Sequence, residues 1–181
     1  RDSHEGGYGK ISLAHGFEVS SNTVMVQSVY NNYKNNPSKF IKHIESWGLD
    51  KKIGLELKGE ATPKIPKPGK AGWSAISLPW MAFGYGIDVT PMQTLTYYNS
   101  VANNGVMVKP QLVSEIKKWN KKIKKYAPIV INPKVCSPET IKKLKVVLEN
   151  VVKKGTASKL YSKDFSMAGK TGTAQANYSK N

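Results

Sequence analysis

Ala168-Gly169-Lys170-Thr171-Gly172-Thr173-Ala174 is the stretch on which the reading of this chain turns. It follows Phe165 and Met167, residues with strand character, and lines up an ammonium, two hydroxyls and an unhindered backbone position. In a strand, Lys170, Gly172 and Ala174 face one side and Thr171 and Thr173 the other, and Gly172, without a Cβ, admits a ligand close to the backbone. The combination suits an anion, and a bound peptide could pair as an added strand. K-T-G alone is a weak signal: random composition yields it about 0.1 times in such a chain. A Gly-containing edge strand with a solvated lysine is the structural alternative.

The rest of the composition narrows the options. With 181 residues, 39% of them hydrophobic and 22% charged, the chain can bury one sizeable core. A net charge of +16 raises nucleic acid as a partner. Against that, Arg1 is the single arginine among 28 basic residues, whereas groove readout leans on arginine forks. The one dense lysine run, Lys117 to Lys125, reads as a polar β-hairpin with a solvated face in preference to a nucleic-acid or membrane contact. No apolar run reaches membrane-spanning length, and Arg1-Asp2-Ser3-His4 has no signal-peptide pattern, as expected of a cytosolic protein or of an excised segment. The lone Cys136 excludes an internal disulfide, and His4, His15 and His43 have no metal-ligand spacing. No metal and no cofactor is expected.

Ser20-Ser21-Asn22 precedes a segment with apolar residues at Val24, Met25, Val29, Tyr30 and Tyr33, so the serines sit where a helix begins. An N-cap accounts for them as well as chemistry does. Pro37 opens a second helix ended by Gly48, and Thr90-Pro91 opens a third, with Leu95, Tyr98 and Val101 as its expected buried stripe. Residues 49 to 80 read as a long loop packed by Leu55, Leu57, Trp73 and Trp80. Short strands are expected at 106–108, 112–116 and 129–131, and a last helix from Pro138 to about Lys154 with Ile141, Leu144, Val147, Leu148 and Val151 inside.

Taken in order, these segments resemble the transpeptidase domain of class B penicillin-binding proteins, the group with the division-specific enzyme called penicillin-binding protein 3. The resemblance rests on Ser20-Ser21-Asn22, Phe83-Gly84-Tyr85-Gly86, Val89-Thr90-Pro91-Met92-Gln93, Ala102-Asn103-Asn104-Gly105, Gly155-Thr156-Ala157 and Lys170-Thr171-Gly172-Thr173-Ala174-Gln175. It implies an α/β fold of the two-lobed α+β kind shared with serine β-lactamases, here the helical lobe plus the K-T-G strand. It also implies serine acyl transfer on peptidoglycan stem peptides ending in D-Ala-D-Ala, with β-lactam antibiotics acylating the same serine.

Carried over residue by residue, the resemblance makes Ser20 a proton relay, Asn22 a holder of a substrate amide, and Lys170 the charge facing the terminal carboxylate. Thr171 or Thr173 would add a hydroxyl bond, Gly172 would admit the substrate, and the Thr173 N–H would serve as an oxyanion donor. The family's nucleophile belongs to a helical S-x-x-K pair upstream of S-x-N. Ser114-Glu115-Ile116-Lys117 is the one match here; about two arise by chance, and it follows S-x-N in a strand-like stretch, where i and i+3 point to opposite faces. Residues 1–181 are therefore expected to be a partial, inactive piece of the domain, without the nucleophile segment or the strands after K-T-G. The parent is expected to be anchored at the outer face of the cytoplasmic membrane or in the periplasm, with division or elongation proteins as partners. A β-lactamase or β-lactam sensor of the same fold, and more remotely a basic nucleic-acid module, are the alternatives.

Overall fold

The computed structural model describes Asp2 and residues 4–174. They form two compact units: residues 26–142, and Asp2 with residues 4–25 and 143–174. Gln175 and the residues after it lie outside the described part.

In the 26–142 unit, α3 (Pro37–Ser46) starts with proline in its first turn, and Gly48 after its end takes φ +72, the left-handed conformation that suits glycine. Its apolar face sets Ile41 and Ile44 against Met81 of α4 (Ser77–Met81), with Phe40, Trp47, Leu49, Ile65, Trp73 and Ile87 around them. The segment 49–80 is thus more ordered than a loop: it contains most of α4. The Glu60 carboxylate holds its early part, accepting the N–H groups of Ile53, Gly54 and Leu55 at 2.6 to 3.0 Å. Leu57, expected to pack this segment, is exposed.

α5 (Pro91–Ala102) begins with the Thr90–Gln93 capping box. Its buried face differs from the expected stripe. Val101 is buried, but Leu95 is 58% and Tyr98 38% exposed, and Gln93, Thr96 and Ser100 are buried instead. Each polar group is satisfied, which removes the penalty of burying it. Gln93 Nε2 donates to the carbonyls of Leu49 and Lys51, and the Thr96 and Ser100 hydroxyls donate to the carbonyls of Met92 and Tyr97.

The strands form two antiparallel pairs, β1 (Met107–Val108) with β4 (Val130–Asn132) and β2 (Glu115–Lys118) with β3 (Lys121–Lys125). Ser114 precedes β2 and Lys117 lies within it, so this pair is not on a helix.

In the other unit, α1 (Leu13–Glu18) begins at Ser12, whose Oγ accepts the His15 N–H, and is followed by the start of α2 (Asn22–Tyr33). The last helix, α6 (Pro138–Lys154), contributes its C-terminal part, with Leu148, Val151 and Val152 buried. One expectation fails here: Phe165 to Ala174 is not a strand. A strand exists only through a ladder of bonds to a second strand. Among the described residues this segment instead has one backbone bond to a helix, from the Gly169 N–H to the Leu148 carbonyl at 3.2 Å, and no strand lies beside it.

Because Gln93 both closes the capping box and bonds two loop carbonyls, Gln93→Ala should destabilise the chain by about 2–3 kcal/mol, read as a shifted urea midpoint with unchanged slope.

Candidate active site

The pair Ser20-Ser21 divides the two roles the sequence left open. At the end of α1 the Ser20 N–H donates to the Phe17 carbonyl at 3.2 Å and the Ser21 N–H to the Gly16 carbonyl at 2.8 Å. This is a Schellman motif, and Ser20 occupies its left-handed position at φ 57, where glycine is the usual residue. A side chain there costs about 1 kcal/mol. Ser21 is the helix cap: its Oγ accepts the Val24 N–H at 3.2 Å and donates to the Asp2 carboxylate at 3.0 to 3.1 Å. Capping is therefore accomplished without Ser20, whose hydroxyl is left for another partner.

That partner is Lys170. Its Nζ donates to Ser20 Oγ, joining residues 150 positions apart. The amine also donates to the Thr171 carbonyl at 3.2 Å and sits 5.6 Å from the centre of the Phe17 ring, within cation–π range. Burial pulls the Lys170 pKa below the ordinary lysine value of 10.5. The proton on this amine is thus more easily released than that of a solvated lysine.

The neighbouring groups hold this contact. Thr171 Oγ1 lies 2.7 Å from Thr156 Oγ1, and the Thr156 N–H donates to the Glu18 carbonyl at 3.1 Å, tying the K-T-G segment and the turn after α6 to the end of α1. Gly155 permits this approach. A Cβ on it would stand 2.3 Å from the Glu18 carbonyl oxygen and 2.8 Å from Val151 Cα, both backbone atoms that cannot yield cheaply. Gly16 is equally enclosed, since a Cβ there would meet the Val24 side chain at 2.5 to 2.8 Å.

Glu18 is 2% exposed. Burial works to raise its pKa, but hydrogen bonds from His15 Nδ1 (3.2 Å) and Asn150 Nδ2 (2.8 Å), with the Lys154 ammonium at 3.6 Å, outweigh it and hold the carboxyl below its ordinary range. Asp2 is also held low. Burial opposes this, and bonds from the Thr23 N–H and hydroxyl and from Ser21 prevail.

Of the residues singled out from the sequence, Ser20 and Lys170 meet directly, and Thr171 reaches the site through Thr156. Asn22 is half-buried at the first position of α2. Gly172 and Thr173 are exposed, and a Cβ on Gly172 would meet nothing within 4 Å. Phe17, Glu18 and Asn150 escaped the sequence reading. No spacing marks them, although Gly155-Thr156-Ala157 was a visible signal of the turn they support.

Two expectations follow. Ser20→Gly should be more stable than Ser20→Ala by about 1 kcal/mol in urea denaturation, because both lose the hydroxyl and only glycine fits the left-handed position freely. The stability Glu18 contributes is fully present above its unfolded pKa, near 4.5, and is lost as pH falls through the lower folded value. Thermal melts from roughly pH 6 down to pH 3 should show a steeper acid loss in the unaltered chain than in Glu18→Gln.

Comparison with known proteins identifies the family. The family model described as "Penicillin binding protein transpeptidase domain" matches residues 1–181. Stage V sporulation protein D of Bacillus subtilis is 33% identical over 142 residues, covering 76% of this chain and 21% of its own. Penicillin-binding protein 2B of Streptococcus pneumoniae is 30% identical over 193 residues, covering 92% of this chain and 28% of its own. The solved structure of that pneumococcal protein superposes with a TM-score of 0.75 at 28% identity, over 92% of this chain and 30% of its own. The D,D-transpeptidase domain of a peptidoglycan glycosyltransferase from Eggerthella lenta gives 0.76 at 25% identity, over 94% of this chain and 43% of its own. The chain spans 21% and 28% of the length of these two curated relatives. With S-x-N and K-T-G drawn together in one unit and the family model matched along the whole chain, the protein belongs to the penicillin-binding protein transpeptidase family.

Proposed function

We propose that this chain is part of a D,D-transpeptidase that cross-links peptidoglycan stem peptides, and that Ser20, Asn22 and Lys170 belong to its catalytic machinery. The observation that carries the reading is the contact of Lys170 Nζ with Ser20 Oγ. In the proposed reaction a serine supplied by the rest of the protein attacks the carbonyl of the penultimate D-Ala. Its oxygen bonds to that carbon, the peptide bond to the terminal D-Ala breaks, and the departing amine takes up a proton. An amine of a neighbouring stem then attacks the acyl-serine, and the serine recovers its proton.

Ser20, hydrogen-bonded to an amine whose pKa burial has lowered, suits the relay of the proton to the leaving amine. The Lys170 charge, with Thr171 or Thr173, suits the terminal carboxylate, and the exposed, unhindered Gly172 suits a substrate backbone laid along it. The Thr173 N–H is assigned to the oxyanion and Asn22 to a substrate amide.

The same reading makes β-lactams acylating ligands of the parent, and makes residues 1–181 a piece of a larger catalytic domain that is inactive by itself. The parent would be anchored with this domain on the extracytoplasmic side, beside division or elongation proteins. Curated relatives named as penicillin-binding proteins favour the transpeptidase over a β-lactamase or sensor.

The test is acylation of the full-length protein by a fluorescent penicillin. Lys170→Ala should lower the acylation rate constant at least about a hundredfold, and Lys121→Ala, on the β2–β3 hairpin, should leave it within about twofold. Equal effects of the two substitutions would overturn the assignment of Lys170.

A further inference from the structure

Two rules of hairpin construction are broken at one spot, the tip of β2–β3. The two-residue turn is Trp119-Asn120, both left-handed at φ 49 and 61, the conformations that favour Asn and Gly. A tryptophan sits in the first of these positions and is 92% exposed. Below it, Lys118 stands opposite Lys121 and Lys117 opposite Lys122, and like charges directly across a strand pair are destabilising. Glu115 is the one acid on either strand. It takes Lys117 at 2.6 Å and Lys122 at 3.5 Å, which leaves the pair nearest the tip uncompensated by it. Ile116 and Ile123 add exposed aliphatic surface, at 44% and 60%.

We propose that this hairpin docks on the surface of an anionic lipid bilayer. An array of phosphates would turn the repulsion between the facing lysines into attraction, while the Trp119 indole, apolar with one N–H donor, has the chemistry of the headgroup boundary. A single-stranded nucleic acid calls for a groove with successive stacking rings. Here the aromatic tip is convex, and the next ring, Tyr126, has the Lys124 ammonium 4.6 Å from its centre. The inference is independent of the transpeptidase reading.

The test is co-sedimentation of the full chain with vesicles of phosphatidylcholine, with and without phosphatidylglycerol, at near-physiological salt. Binding should require phosphatidylglycerol and be accompanied by a blue shift of tryptophan emission. Combined Lys118→Gln and Lys121→Gln should weaken it about thirtyfold. Trp119→Ser should weaken it about tenfold and abolish the blue shift. Lys51→Gln with Lys52→Gln, which removes the same charge elsewhere, should weaken it less than about threefold. Equal losses from the two lysine pairs, or undiminished binding of Trp119→Ser, would overturn the proposal and leave only the general attraction of a chain of charge +16. Displacement from the vesicles by single-stranded DNA, with quenching of Trp119, would assign the hairpin to nucleic acid instead.

Discussion

Glu18 is the residue on which the geometry around Ser20 depends. Its carbonyl accepts the Thr156 N–H, and its carboxylate gathers His15, Asn150 and Lys154. A buried carboxylate is tolerated only when it is paired and hydrogen-bonded, so satisfying this one obliges the end of α1 and the end of α6 to keep a fixed distance. That distance is short because residue 155 has no side chain. The Schellman turn that follows is fixed at its base, and Ser20 holds a conformation that a serine would otherwise leave. Local strain of this kind persists only where the surroundings over-determine it.

The same constraint explains the character of Lys170. Drawn against Ser20 and the Phe17 ring, its amine loses water without gaining a carboxylate among the described residues. An ion pair would raise the pKa and fix the proton; a hydroxyl, a carbonyl and an aromatic face leave burial as the dominant influence. Lysines elsewhere have different partners: Lys153 pairs with Glu149 at 3.0 Å and Lys67 pairs with Glu45, on exposed surfaces where such pairs contribute little. High lysine content therefore says little about function until each amine's surroundings are known.

Several features were fixed by the sequence alone. Proline marked the starts of α3, α5 and α6, and glycine marked the ends of α3 and α6, because these are local effects of backbone sterics and unpaired N–H groups. The β2–β3 hairpin was legible from its lysine run, although β2 lies at Glu115–Lys118 and not at the expected 112–116. The family, too, was legible, since S-x-N and K-T-G are separated along the chain in an order that chance rarely reproduces, and Lys170 and Ser20 could be named as partners from it.

Tertiary structure decided what depends on neighbours. Which residues of α5 are buried was not readable, because Gln93, Thr96 and Ser100 become admissible inside only when particular carbonyls meet them, while Leu95 faces outward. The strand expected at Phe165 to Ala174 did not form, because strand propensity yields no ladder without a second strand, and here the backbone bonds a helix carbonyl. Above all, two adjacent serines look alike in sequence. Ser21 became the cap and Ser20 the partner of Lys170 because α1 stops at Glu18, one residue before the turn that gives Ser20 its positive φ, and Glu18 is held there by residues more than 130 positions further along the chain.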